Sequence, residues 1–135
     1  MMTSPRSEIL PMRQEADILL VRQFVRECAT ECGFGVLTLT KLITVASELG
    51  RNTLIHGGGG TMRLETFAEK DRRGVRLTFE DHGPGIADLE QAMTDGFTTN
   101  GGLGLGLPGS KRLVNEFEVV SRLGEGTRVT VTQWA

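Results

Sequence analysis

Glu48 and Asn52 stand four residues apart in the run ASELGRNTLIH. That spacing puts both on one face of a helix. Val45 and Ile55 continue the line above and below, so the pair borders an apolar stripe. A carboxylate and an amide at the edge of a core need partners, because buried polar groups are costly when unpaired. A helix cap or a tertiary hydrogen bond would serve. So would Mg²⁺, a hard ion that takes oxygen ligands at short distance and keeps several of its waters. Asn52 offers an amide oxygen, and Glu48 could hold a metal-bound water or accept a proton from a hydroxyl.

Two glycine-rich stretches add to this. In EDHGPGI, Asp81 closes a strand-like run and is followed by Gly83 and Gly85. A carboxylate there could accept a hydrogen bond from the exocyclic amine of a purine, and the glycines would let a flat base lie against backbone. The plainer reading is a strand-end Asp capping a turn. The second stretch, TDGFTTNGGLGLGLPGSKRL, runs from Thr94 to Leu113. Two phosphate motifs almost fit it. Gly104, Gly106 and Gly109 spell G-x-G-x-x-G, but a dinucleotide fingerprint must follow a buried parallel strand, and here a polar segment precedes it. Gly104 and Gly109 have P-loop spacing, but Ser110 and Lys111 stand in reverse order. A looser reading survives: glycines without Cβ let backbone N–H groups approach an anion, and a helix start just beyond adds partial positive charge. The loop could be a lid that wraps phosphates, or simply a flexible surface loop. Lys111 and Arg112 are candidate cations for a terminal phosphate, or exposed helix charges.

These residues must be held by elements the pattern also predicts. Residues 7–12 read as a short strand. Residues 14–32 read as a helix, with Ile18, Val21, Val25, Cys28 and Cys32 at steps of three and four. Gly33 would end it as the residue after the cap. A second helix, capped by Thr38 or Thr40, runs to about Ile55 with Leu39, Leu42, Ala46 and Leu49 as its core stripe, and HGGGG stops it. Strands follow at 61–69 and 75–80, with KDRRG as a solvated hairpin turn carrying a basic cluster. A short helix near 87–93, the glycine loop, a helix near 105–115 and strands at 117–123 and 127–134 complete the order. Helices interrupting a hairpin-linked sheet predict an α/β (α+β) two-layer sandwich, its sheet mixed but largely antiparallel, with the helices on one face.

The bulk properties set bounds. A chain of 135 residues fits one domain, 1–135, and can bury roughly two-thirds of its unfolded surface. With 15 basic and 17 acidic residues and a net charge of −2, a broad electrostatic grip on nucleic acid is not expected. No apolar run has the length of a membrane span and no signal peptide is evident, so no membrane contact and a cytoplasmic location are expected. Cys28 and Cys32 read as small buried hydrophobes in a reducing compartment rather than a redox or metal pair.

In combination these segments resemble the GHKL ATP-binding family, whose fold is often called the Bergerat fold. The order matches: E-x-x-x-N at Glu48 and Asn52, D-x-G-x-G at Asp81, Gly83 and Gly85, a glycine lid at Gly101, Gly102, Gly104 and Gly106, and G-x-G-T at Gly124, Gly126 and Thr127. The resemblance runs from about Glu8 to the C-terminus and is closest in type to the RsbT-like switch kinases, whose length the chain shares, so that no added sensor or dimerisation domain is expected. It implies ATP and Mg²⁺ as cofactors. It implies Asn52 as the metal ligand, Glu48 as the catalytic residue orienting or deprotonating the attacking hydroxyl, and Asp81 on the adenine amine. Gly83 and Gly85 would line the base pocket. Gly101, Gly102, Gly104, Leu105 and Gly106 would face the phosphates, and Thr127 would support Asp81 through water. It further implies a serine/threonine protein kinase in a partner-switching, stressosome-like pathway. The substrate would be a STAS-domain protein (RsbS- or RsbR-like), and the released kinase would activate a PP2C-type phosphatase (RsbU-like). The alternatives are an anti-sigma factor kinase of the RsbW or SpoIIAB type, and an ATP-binding interaction module without catalysis.

Overall fold

The computed structural model describes residues 5–94 and 106–135. Five strands form one sheet: β1 (Ser7–Met12), β2 (Gly60–Glu69), β3 (Arg72–Asp81), β4 (Glu116–Arg122) and β5 (Gly126–Trp134). Their order across the sheet is β1-β2-β3-β5-β4, and every pairing is antiparallel. Two long helices, α1 (Glu15–Glu31) and α2 (Val36–Ile55), pack against each other and onto the sheet. Two short ones, α3 (Leu89–Ala92) and α4 (Gly106–Leu113), follow β3, and α4 rests on α2. The architecture is the expected two-layer sandwich, with its sheet antiparallel throughout.

Period-two alternation decides which face of the sheet is covered. Met62, Leu64, Val75, Leu77, Phe79, Val129 and Val131 are buried beneath α1 and α2. From α1 the core takes Ile18, Val21, Val25, Cys28 and Ala29; from α2 it takes Leu42, Val45, Ala46 and Leu49. Asp81 is next in line after Phe79 on this covered face, at the end of β3. That position sets it at the edge of the covered layer, half-buried rather than on the open surface.

The helix ends show how local sequence sets the frame. Asp17 is buried, and its Oδ2 accepts from the backbone N–H groups of Arg13 (2.8 Å) and Gln14 (3.1 Å), fixing the entry to α1. Gly33 takes φ 88°, as its expected place after the cap requires. The Gly33 N–H donates to the Thr30 carbonyl and the Phe34 N–H to that of Ala29, with Phe34 and Ala29 both buried. The α2 start differs from expectation. Its cap is Gly35, and the Thr40 hydroxyl donates to the Val36 carbonyl inside the first turn. A Gly35 in extended conformation lets the helix begin immediately, so the threonines are not needed as caps. Ile55 ends α2 exposed, not in the core stripe.

The β2–β3 hairpin also corrects an expectation. Its turn is only Lys70–Asp71, with Lys70 at φ 56°, and β3 starts at Arg72. The basic cluster is therefore largely strand, not a solvated turn. On the sheet face away from the helices, the Arg72 guanidinium lies 3.6 Å from the centre of the Trp134 ring, and that of Arg76 lies 4.8 Å from Phe67. Phe67 and Trp134 meet edge to face at 4.9 Å, and Arg76 Nε donates to Thr132 Oγ1 at 3.1 Å. Cation–π stacking and aliphatic stem burial keep these arginines on the sheet.

Candidate active site

The base end of the candidate site is built where three chain segments converge on Asp81. One carboxylate oxygen, Oδ1, accepts from the backbone N–H of Gly83 (2.9 Å) and of Thr127 (3.2 Å). Thr127 is the direct register partner of Asp81 across β3 and β5, which is why its amide reaches without a bridge. This main-chain contact is additional to the support of Asp81 through water expected of Thr127. The Thr127 hydroxyl shares a 2.8 Å hydrogen bond with Ser121, whose Oγ also accepts from the Ile86 N–H at 2.7 Å. The two halves of Asp81 are thus distinct. Oδ1 is fixed by two donors, while Oδ2 makes no hydrogen bond with the described residues and is left to accept from a ligand.

Glycine is required around this carboxylate for space. A Cβ on Gly57 would stand 2.5 Å from Asp81 Oδ2, and one on Gly83 would stand 2.8 Å from the Gly57 Cα. Gly85, at φ 77°, and Gly126, at φ 116°, press their backbones onto the carbonyls of Arg122 and Asp81. The Gly124 N–H closes the arrangement by donating to the Pro84 carbonyl at 2.9 Å. The D-x-G-x-G and G-x-G-T segments, far apart in sequence, are therefore one interlocked structure. Gly57 and Ser121 were not singled out from sequence. HGGGG read only as a helix stop, and a lone serine in a strand carries no signal.

The residues expected near the phosphates, Glu48 and Asn52, are on α2. Glu48 and Asn52 share its face as expected, and α4, which begins at Gly106 (φ 65°), packs against this helix. The Glu48 side chain is 14% exposed and its Oε1 accepts from Arg51 Nη1 at 3.2 Å. The Asn52 carbonyl closes the helix by accepting from His56 and Gly57, while its half-buried side-chain amide makes no hydrogen bond with the described residues. An open amide oxygen beside a carboxylate fits a hard ion that takes its remaining ligands from water and phosphate. Among the described residues no group of three or more His, Cys, Asp or Glu side chains could hold a metal by itself. Gly101, Gly102, Gly104 and Leu105 lie outside the described residues. Lys111 and Arg112 occupy the last turn of α4, at the end away from Gly106.

An Asp at the end of the covered sheet face, glycine backbones packed around it and an E-x-x-x-N helix make up the candidate site. Residues 38–134 match the family described as histidine kinase-, DNA gyrase B- and HSP90-like ATPase, and the chain belongs to that family. The chain is 44% identical over 120 residues to the serine/threonine-protein kinase RsbT of Bacillus subtilis (strain 168), covering 89% of this chain and 90% of that one. It is therefore an RsbT-like serine/threonine protein kinase. It is also 35% identical over 98 residues to an anti-sigma F factor of Anoxybacillus flavithermus (strain DSM 21510 / WK1), covering 67% of this chain and 66% of that one. A crystal structure of the RsbU and RsbW domains of Rv1364c from Mycobacterium tuberculosis shares the fold, with a TM-score of 0.66 at 21% identity. The match covers 97% of this chain and 32% of that one, so the chain spans about a third of that protein.

Proposed function

We propose that the chain, as a single domain over 1–135, transfers the terminal phosphate of ATP to a serine or threonine of a STAS-domain protein. Once released from that substrate, it activates a PP2C-type phosphatase in a cytoplasmic partner-switching response. The observation that carries the ATP reading is the split role of the Asp81 carboxylate, Oδ1 held by two backbone amides and Oδ2, close to Gly57, without a hydrogen bond among the described residues. An oxygen fixed in this way keeps its partner oriented to accept from an adenine amine. Gly57 and Gly83 leave the backbone bare so that a flat ring can approach.

In this reading Asn52 supplies an oxygen to Mg²⁺, and Glu48 receives the proton of the attacking hydroxyl. The hydroxyl oxygen forms the new bond to the terminal phosphorus, and the bond to the bridging oxygen breaks with its electron pair leaving on ADP. When bound, Mg²⁺ would neutralise phosphate charge, which is most of what phosphoryl transfer asks of its site. Gly101, Gly102, Gly104, Leu105 and Gly106 are assigned to the phosphates, with their amides as donors. Gly85 and Thr127 hold the base pocket together by packing rather than by direct contact with the base.

Labelled ATP, Mg²⁺ and a STAS-domain protein test this directly. Label should appear on the substrate with wild type and vanish with Glu48→Gln. Absence of transfer while nucleotide binds normally would remove the STAS assignment. The anti-sigma relatives support a second reading, in which the chain also holds a sigma factor; recovery of a sigma factor rather than a phosphatase on affinity capture would favour it. No helix among the described residues is long and apolar enough to cross a membrane.

A further inference from the structure

Glu48 does not stand alone on its helix face. Arg51, three residues on, donates from Nη1 to Glu48 Oε1 at 3.2 Å, and Asn52 follows directly. The proposed proton acceptor, a guanidinium and the proposed metal ligand therefore occupy successive places around one turn of α2. The pair is asymmetric: the acid is 14% exposed and the arginine 45%. Exposed pairs at this spacing contribute little to stability, so the contact is cheap to break. Lys111 and Arg112, the cations that sequence offered, sit at the wrong end of α4 for a phosphate held near Gly106. Arg51 is already at the carboxylate where the reaction would occur.

We propose that Arg51 recognises the terminal phosphate of ATP and exchanges Glu48 for it. Without that phosphate, with ADP or no nucleotide, the guanidinium pairs with Glu48. With ATP in place it turns to the terminal phosphate oxygens, which carry more charge and accept its planar donors in pairs. The exchange leaves the Glu48 carboxylate free to receive the hydroxyl proton. Glu48 and the terminal phosphate thus compete for one cation, and that competition separates ATP from ADP. The inference rests on the assignment of Glu48 and Asn52 to the phosphate end of the site.

Calorimetric titration with Mg²⁺ and either ADP or the non-hydrolysable analogue adenylyl imidodiphosphate tests it without relying on turnover. Arg51→Ala should weaken the analogue about tenfold, as loss of a charge-assisted contact does, while ADP stays within about twofold. Arg51→Lys should recover part of the loss. Glu48→Gln should tighten the analogue several-fold and leave ADP unchanged, and this gain should vanish in Glu48→Gln/Arg51→Ala. Equal effects on both nucleotides, no effect on either, or a Glu48→Gln gain that persists without Arg51 would overturn the exchange. If Arg51→Ala does not fold by circular dichroism, Arg51→Lys and Glu48→Gln still carry the comparison. Failure of wild type to bind either nucleotide would sink the site assignment. Normal binding with an unmoved ATP-to-ADP ratio would sink only the role of Arg51.

Discussion

At the residue scale, the account turns on individual oxygens and missing Cβ atoms. Asp81→Asn can present an amide nitrogen where Oδ2 accepts, so a donor would face the adenine amine. Such a mismatch costs about 1–3 kcal/mol, and nucleotide affinity measured by calorimetry should fall at least about fivefold. Gly57→Ala should do comparable harm for a different reason, since its Cβ would occupy the space at Asp81 Oδ2. Asn52→Ala should abolish metal-dependent transfer while leaving the fold's melting temperature within a few degrees, because its side chain makes no hydrogen bond with the described residues. Glu48, Asn52, Asp81, Gly83 and Gly85 could be nominated from the sequence because their types and spacings have few other joint uses. Gly57 was not, because its requirement comes from a carboxylate 24 positions later. Ser121 and Arg51 were silent for the same reason: a hydrogen bond or ion pair gives no pattern until the chain has folded.

At the element scale, two substitutions should move stability in opposite directions. Gly126 begins β5 at φ 116°, with its backbone against the Asp81 carbonyl. Gly126→Ala combines a disfavoured conformation with a collision against main chain, and should cost on the order of 2 kcal/mol or more in denaturant unfolding. Ser110, on the buried side of α4, has a hydroxyl with no hydrogen-bond partner among the described residues. Ser110→Ala removes that burden and gains helix propensity, so a stabilisation of about 1 kcal/mol is expected. The elements themselves were readable from periodicity: both long helices and all five strands lie within a few residues of expectation. What periodicity could not supply was the α2 start at Gly35 or the two-residue turn at Lys70–Asp71. Glycine in an extended cap and lysine at positive φ are individually weak signals.

At the scale of the whole molecule, α1 and α2 cover one face of the antiparallel sheet, and the candidate residue Asp81 lies at one end of that covered face. The fold was legible as a class because hairpin-linked strands interrupted by helices allow few layer arrangements. The uniformly antiparallel pairing was not, since strand order depends on which edges meet. Global stability should carry a signature of the α1 packing. Burial pushes the Cys28 thiol up to about 11 from 9.0, with nearby Arg6 pulling it back. A raised folded-state value stabilises fully below pH 9 and loses that contribution as pH rises toward 11, a span worth about 2–3 kcal/mol. Denaturant midpoints of wild type should therefore fall across that window more steeply than those of Cys28→Ala. The most direct test of the central claim is a crystal structure with adenylyl imidodiphosphate and Mg²⁺. The account predicts the adenine amine on Asp81 Oδ2 and the metal on the Asn52 amide oxygen. A nucleotide bound elsewhere, or a base that leaves Asp81 uncontacted, would contradict it.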